Sequence, residues 1–224
     1  MKIAVAIDGP AAAGKSTIAK KVAEILHLIY IDTGAMYRAF TWYCLQKGVY
    51  CQNEAACVAL IPEVKIELKE DHRVFCNDID ITREIRLPDV SGNVSYIASY
   101  KDIRLALVDL QRAMAEKGSV IMDGRDIGTY VLPNAEVKIY QIASVQTRAQ
   151  RRYDENMMKG IPCTFEEIEE DVKKRDYIDS HRAFAPLKPA EDSVLLDTSD
   201  LTIEEVVTEV LKIIDQKMKE RGNA

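Results

Sequence analysis

The chain contains 224 residues, of which 30 are basic and 36 are acidic, so its formal net charge is −6. No apolar stretch approaches the roughly 20 residues that span a bilayer, and the first residues lack a signal-peptide core, which predicts a cytoplasmic protein without a membrane partner. The 47% of hydrophobic residues exclude a disordered chain, and the acidic balance argues against a nonspecific nucleic-acid binder. We expect a single domain over residues 1–224 that acts as a monomer.

The cysteines and histidines indicate no metal site. The five cysteines are odd in number and contain no Cys-x-x-Cys pair, so we interpret them as reduced thiols rather than as a disulfide framework or a zinc site. The three histidines are far apart in the sequence.

Two strand–helix units begin the chain. Residues 3–7 form a short apolar run, typical of a strand buried on both faces, and helical spacing of apolar residues follows from 15 to about 27. A second apolar run at 28–31 predicts another strand, followed by a helix from about 33 to 46 with Gly48 as its stop.

An insertion separates these units from the next parallel strand, which we predict at 119–122. The gap is much longer than the dozen or so residues that a parallel crossover needs. Clean alternation at 64–69 and a return run at 73–76 predict a small antiparallel patch between 62 and about 86. A long amphipathic helix is predicted from about 102 to 117.

The rest of the chain continues to alternate strands with helices. Further strands are predicted at 137–140 and 194–196, and helical segments at 144–158, 165–180 and 202–219. This order predicts an α/β domain with a parallel sheet, helices on both faces, and ligands beyond the carboxyl ends of the strands.

A phosphate-binding loop directly follows the first strand, and we call it the P-loop. Gly9 and Gly14 permit a backbone whose N–H groups surround an anion, Lys15 supplies a mobile cation to the β- and γ-phosphates, and the Ser16 hydroxyl can bind Mg²⁺. The match covers Gly9, Pro10, Ala11, Ala12, Ala13, Gly14, Lys15, Ser16 and Thr17. It predicts a site for ATP with magnesium.

Two further motifs end neighbouring predicted strands and should face the same rim. In the first, residues 32–38, Thr33 and Arg38 are candidates for a phosphate contact, although a helix cap with a solvated arginine explains this motif better when it is taken alone. In the second, Asp123 can hold Mg²⁺ through water and Arg125 can meet a phosphate, with a tight Asp-Gly turn as the alternative.

Two arginine clusters lie on predicted helices. Arg148, Arg151 and Arg152 share one helix face and suggest an anion, unless they form a solvated face.

The second cluster contains Arg175, Asp179 and Arg182, which share a face if the helix persists that far. The alternative is an intrahelical ion-pair ladder.

One polyphosphate loop and several arginines on the same rim suggest two phosphorylated ligands brought end to end. Phosphoryl transfer needs mainly positioning and positive charge. A phosphate acceptor is already an anionic nucleophile, which agrees with the lack of any obvious catalytic His or Cys.

The P-loop, residues 32–38, residues 123–129 and residues 175–187 together resemble the bacterial cytidylate kinases along the whole chain. The resemblance implies a P-loop nucleoside-monophosphate kinase core and ATP-dependent phosphorylation of CMP and dCMP by direct transfer. It also implies a monophosphate-binding insertion at about 62–86 and a short arginine-bearing helical lid at about 148–163.

The resemblance also implies roles for individual residues. The residues implied to be catalytic are Lys15, Arg125, Arg148, Arg152 and Arg182. The acceptor phosphate would contact Arg38, Arg125 and Arg182, the base would contact Ser95, Arg104 and Asp126, and the sugar would contact Arg175 and Asp179, with Thr33 nearby.

Two other functions stay open. One is a related P-loop kinase for another small acceptor, such as UMP or shikimate. The other is a nucleotide-dependent switch or binding module, which the lack of an Asn-Lys-x-Asp tetrapeptide disfavours.

Overall fold

The computed structural model describes residues 2–69 and 71–222. Its eight strands are β1 Ala4–Asp8, β2 Ile29–Asp32, β3 Ile66–Leu68, β4 Val74–Cys76, β5 Ile79–Asp80, β6 Val120–Gly124, β7 Val137–Ile142 and β8 Val194–Asp197. Five of them form a sheet in the order β2-β6-β1-β7-β8, in which every neighbouring pair is parallel. This confirms the predicted parallel sheet and places β1, which leads into the P-loop, at its centre.

Eight α-helices surround this sheet and the insertion in the described part of the chain. They are α1 Lys15–Leu26, α2 Thr33–Gln46, α3 Glu54–Val58, α4 Pro88–Ile97, α5 Lys101–Ala115, α6 Val145–Met158, α7 Phe165–His181 and α8 Ile203–Gly222. None of them combines the length and apolarity that a bilayer crossing requires.

The core lies on both faces of the parallel sheet because successive strand residues point to opposite sides. Val5 and Ile7 pack with α1 and α8 on one face, and Ala6 packs with α5 on the other face. Burying a side chain of the size of Val5 or Ile7 contributes roughly 1.5–3 kcal/mol, which makes the sheet a firm base for the loops at its edge.

The insertion contains the predicted antiparallel sheet. Strands β3, β4 and β5 pair antiparallel in that order, and β3 and β4 pack against α2 through a third hydrophobic cluster. The hairpin from β4 to β5 turns at Asn77 and Asp78, both with positive φ, a conformation that Asn and Asp tolerate better than most residues.

Helix α4 was not among the predicted elements. It contains Ser91, Gly92 and Asn93, which are weak helix formers, but Pro88 begins it and Val94 and Ile97 are buried. Tertiary burial therefore overrides the local preference, and it places Ser95 on this helix.

Helix α7 is too short to carry all three residues of the predicted face, Arg175, Asp179 and Arg182. It ends at His181, and Arg182 has extended backbone angles, φ −63° and ψ 141°. Arg175 and Asp179 share the helix, but Arg182 reaches its position from the segment that follows.

Candidate active site

A cavity of about 690 Å³ lies at the carboxyl ends of the parallel strands. Its walls come from the P-loop, the first turns of α1 and α2, the segment after β6, and helices α4, α6 and α7. Its volume is typical of small-molecule sites, and its position is where open parallel sheets bind ligands. The motifs found separately in the sequence thus meet in one cavity.

The P-loop lies tightly against β7. A Cβ atom on Gly9 would lie 2.0 Å from the carbonyl oxygen of Gln141, so the backbones approach too closely for any other residue. The Gln141 amide donates a hydrogen bond of 2.6 Å to the carbonyl of Ala13. Of the predicted loop residues, those from Ala12 to Thr17 line the cavity, whereas Gly9, Pro10 and Ala11 lie behind them.

Lys15 is the first residue of α1 and is only 4% exposed. Its ammonium donates a hydrogen bond of 2.7 Å to the carbonyl of Pro10. Burial lowers the pKa of Lys15 well below its ordinary value, and the nearby charge of Arg125 lowers it further. A bound polyphosphate would reverse this effect, since opposite charge favours the protonated amine.

Ser16 and Asp123 come together as predicted for a magnesium site. The Ser16 hydroxyl donates to Asp123 Oδ2 at 2.8 Å, and the Tyr30 hydroxyl donates to Asp123 Oδ1 at 2.7 Å. Burial, followed by the charge of Asp32, raises the pKa of Asp123. These hard oxygen donors suit Mg²⁺, which typically binds one or two protein oxygens together with phosphate oxygens.

A buried charge cluster forms the opposite end of the cavity. Arg104 is fully buried, and its guanidinium donates hydrogen bonds to Asp126 and, at 2.9 Å, to the carbonyl of Ala98. Arg182 lies 3.2 Å from the other oxygen of Asp126. A hydrogen-bonded cluster of this kind presents both donors and acceptors to a ligand, as recognition of a base edge requires.

Two side chains extend this cluster. The ring of Tyr37 lies 5.3 Å from the guanidinium of Arg104, and burial raises the pKa of the Tyr37 hydroxyl to about 12. Ser95 lines the same region and is 5% exposed. Thr33 begins α2, and its hydroxyl donates to the carbonyl of Asp123 at 2.6 Å, so it ties two walls of the cavity together.

The other predicted acceptor arginines also lie beside carboxylates. Arg38 contacts both oxygens of Asp32 at 3.2 Å, and Arg125 Nε donates to Asp179 Oδ2 at 2.8 Å. Although burial acts to raise the pKa of Asp179, the charges of Arg125, Arg182 and Arg175 lower it below its ordinary value. The carboxylates hold the guanidinium groups in place at the cavity wall.

Within residues 2–69 and 71–222, several buried polar atoms in this wall have no hydrogen-bond partner. They are Tyr37 Oη, Arg38 Nε, Arg104 Nε and Arg175 Nε. Buried donors are nearly always satisfied in folded proteins, and an unpaired one costs about 1–3 kcal/mol. Their concentration around one cavity indicates an anionic or strongly polar ligand.

The structure separates the arginines of the predicted lid. Arg151 and Arg152 line the cavity, but Arg148 does not. Arg148 is 4% exposed and donates to the carbonyls of Ala143 and Ala11 and to Asp176. In this conformation Arg148 therefore holds α6 against the P-loop and α7 rather than facing a ligand.

Sequence reasoning missed two side chains that organise the site. Asp8 accepts hydrogen bonds of 2.7 Å from the backbone N–H groups of Ile127 and Gly128, which fixes the chain directly after Asp126. Tyr30 orients Asp123, as described above. Tyr30 lies within one apolar run and Asp8 directly follows another, so both positions resemble ordinary core in the sequence. The polar side chain of Asp8 at the end of an apolar strand was the only signal of its role.

Comparisons with known proteins agree with this geometry. The model of the family described as cytidylate kinase matches residues 5–216. The chain is 51% identical to a cytidylate kinase of Anoxybacillus flavithermus, over 97% of this chain and 98% of that one. It is 48% identical to a cytidylate kinase of Bacillus subtilis, over 97% of this chain and 99% of that one. A gluconokinase structure from Sinorhizobium meliloti shares the fold, with a TM-score of 0.53 and 11% identity over 99% of this chain and 97% of that one.

Proposed function

Because the chain belongs to the cytidylate kinase family, we propose that it transfers the γ-phosphoryl group of ATP to CMP and dCMP, giving CDP and dCDP. The observation that carries this proposal is the single cavity that joins the P-loop to the buried cluster of Arg104, Asp126 and Arg182. One end suits a triphosphate, and the other suits a base attached to a phosphate.

The ATP end is formed by Ala12 to Thr17, with Arg151 beside Gly14 and Thr198. The N–H groups at the start of α1 and the ammonium of Lys15 would bind the β- and γ-phosphates. Gly9, Pro10 and Ala11 would act through the shape of the loop, since they do not line the cavity.

Ser16 and Asp123 would hold Mg²⁺, with Asp123 acting through water. When bound with ATP, Mg²⁺ neutralises charge on the β- and γ-phosphate oxygens. Tyr30 and Ser16 keep the Asp123 carboxylate directed at this position through their hydroxyl hydrogen bonds.

At the acceptor end, we propose contacts to the base, the sugar and the phosphate of the acceptor. Ser95, Arg104 and Asp126 would meet the cytosine, and Arg175 and Asp179 would meet the sugar. Arg38, Arg125 and Arg182 would bind the acceptor phosphate, near Thr33.

The chain's own residues then act mainly by orienting two anions and by excluding water. The acceptor phosphate oxygen is the nucleophile, so no general base is required. Lys15, Arg125 and Arg182 would stabilise the charge on the transferred group, and Arg152 would approach it from the lid. A catalytic role for Arg148 would require its release from Asp176.

An acceptor panel tests the proposed function. With ATP and Mg²⁺, we expect kcat/KM for CMP and dCMP to exceed that for UMP, AMP and shikimate by at least about a hundredfold. The reason is that a site built to hydrogen-bond one base leaves buried groups unpaired with another. A preference for UMP or shikimate, or nucleotide binding without any transfer, would contradict the proposal.

A further inference from the structure

Arg86 is a cavity residue that the sequence motifs do not include. It ends a 3₁₀ turn, Glu84–Arg86, at the end of the insertion and directly before α4. Ile85 anchors the turn by complete burial, and the Arg86 N–H donates to the carbonyl of Arg83 at 3.0 Å. The backbone is thus held firmly, while the side chain is exposed and lines the cavity.

The charge balance of the cavity distinguishes Arg86 from its neighbours. Most arginines that line the cavity have a carboxylate within 4 Å: the pairs are Arg38 with Asp32, Arg104 and Arg182 with Asp126, Arg125 with Asp179, Arg152 with Glu155 and Arg175 with Asp171. Within residues 2–69 and 71–222, Arg86 has no such partner. Arg151 has none either, but it is bonded to Thr198 at the P-loop end. Among the described residues on the acceptor side, Arg86 is therefore the cavity arginine that has no carboxylate within 4 Å.

The position of Arg86 indicates contact with a phosphate rather than with the base. Arg86 and Arg38 are both close enough to Asp32 for their charges to lower the pKa of that carboxyl, against the raising effect of its burial. Asp32 is aligned with Asp123 on the neighbouring strand, and Asp123 contacts Ser16 of the P-loop. This part of the cavity thus adjoins the P-loop, where the two phosphate chains must meet.

We propose that Arg86 binds the phosphate of the acceptor nucleotide and is a further substrate-binding residue for the reaction. The inference rests on the proposed function. A nucleoside monophosphate carries close to two negative charges at neutral pH. Arg38 and Arg125 each have an aspartate partner, whereas Arg104 and Arg182 share Asp126, which leaves one positive charge in excess. Arg86 adds a second positive charge to this wall, in a fork geometry that suits phosphate oxygens.

The experiment compares Arg86→Met with the control variant Arg83→Met. Arg83 is the N-cap of the same turn and is exposed, but it does not line the cavity. We expect Arg86→Met to raise KM for CMP about tenfold or more, as loss of a charge-assisted hydrogen bond predicts, with KM for ATP unchanged. Arg83→Met should leave both constants as in the wild type. Arg86→Lys should recover part of the loss because it keeps the charge without the fork.

A ligand cycle separates a phosphate contact from a structural effect. Calorimetry would measure binding of CMP and of cytidine, which lacks the phosphate, to wild type and to Arg86→Met. We expect the substitution to weaken CMP binding about tenfold and to leave cytidine binding unchanged. Equal losses for both ligands, or an unchanged KM for CMP, would overturn the role of Arg86 while the wild-type enzyme still phosphorylates CMP. Absence of CMP phosphorylation by the wild type would instead overturn the proposed function.

Discussion

At the residue scale, the site depends on charges that are buried before any ligand arrives. Lys15 is the clearest case, because its ammonium is almost fully buried and bonded to a neutral carbonyl rather than to a carboxylate. Burial without an acidic partner is unfavourable for a cation. A triphosphate would provide a directly bonded counter-charge, so we expect Lys15 to contribute to binding and catalysis at a cost to the free protein.

Replacement of Lys15 tests this role. We expect Lys15→Ala to reduce kcat by at least about a hundredfold, because it removes a cation from the developing charge, while the fold stays intact. Lys21→Ala is the matched control, since Lys21 lies on the same helix and only pairs with Glu204 at the surface. Steady-state turnover and circular dichroism measure both effects. Near-normal turnover of Lys15→Ala would contradict the assignment.

Asp8 gives a prediction for the pH dependence of stability. Burial raises its pKa to about 6 from the ordinary 3.8, although two backbone N–H groups act in the opposite direction. The folded state therefore holds a proton that the unfolded state has lost. The contribution of Asp8 to the free energy of unfolding falls by about 3 kcal/mol as the pH rises from 3.8 to 6, and it is constant above that range.

Urea unfolding of the wild type and of Asp8→Asn between pH 4 and pH 7 measures the contribution of Asp8 to the free energy of unfolding. Asparagine does not titrate, so the variant should gain about 3 kcal/mol relative to the wild type as the pH rises through this range. Taking the difference between the two proteins removes the other groups that titrate there. A difference that does not vary with pH would show that Asp8 stays ionised throughout.

At the element scale, α6 and α7 form a helical hairpin beside the cavity. Tyr153 on α6 packs edge-on against Phe165 of α7 at 6.4 Å, and Arg148 on α6 pairs with Asp176 of α7. Met158 lines the cavity but is 88% exposed. A hairpin that is anchored at its base and exposed at its tip has the properties expected of a segment that closes over ligands.

Hydrogen exchange tests whether this hairpin acts as a lid. We expect amides within residues 148–160 to exchange several times more slowly when an ATP analogue and CMP are both bound, because closure would bury the tip. Amides in the central strands β1 and β6 serve as the internal control, since they are buried in either state. Unchanged exchange at 148–160 with both ligands would contradict a lid role.

The elements also show where sequence reasoning succeeds and where it fails. The strands and the P-loop were predictable because buried parallel strands form apolar runs and the loop has a fixed motif. Helix α4 was not, because burial of Val94 and Ile97 outweighs the weak helix preference of Gly92 and Asn93. The position of Arg148 was also unpredictable, since Asp176, its partner, is remote in sequence.

At the scale of the whole molecule, the parallel sheet explains how residues from distant parts of the chain form one site. All five parallel strands end at the same rim, so the segments after β1, β2 and β6 meet there. The insertion and α4 close one side of the cavity, α6 lies over the P-loop side, and α7 contributes Arg175 and Asp179 to the wall. The arrangement suits two nucleotides whose phosphates meet between Lys15 and the arginines of the opposite wall.

A crystal structure with a nonhydrolysable ATP analogue and CMP tests this account most directly. We predict both nucleotides in the one cavity, with the last phosphate of the analogue in the P-loop beside Lys15 and facing the CMP phosphate. That CMP phosphate should contact Arg38, Arg86 and Arg125. CMP bound at a different site, or a P-loop that holds no phosphate at saturating analogue, would contradict the account.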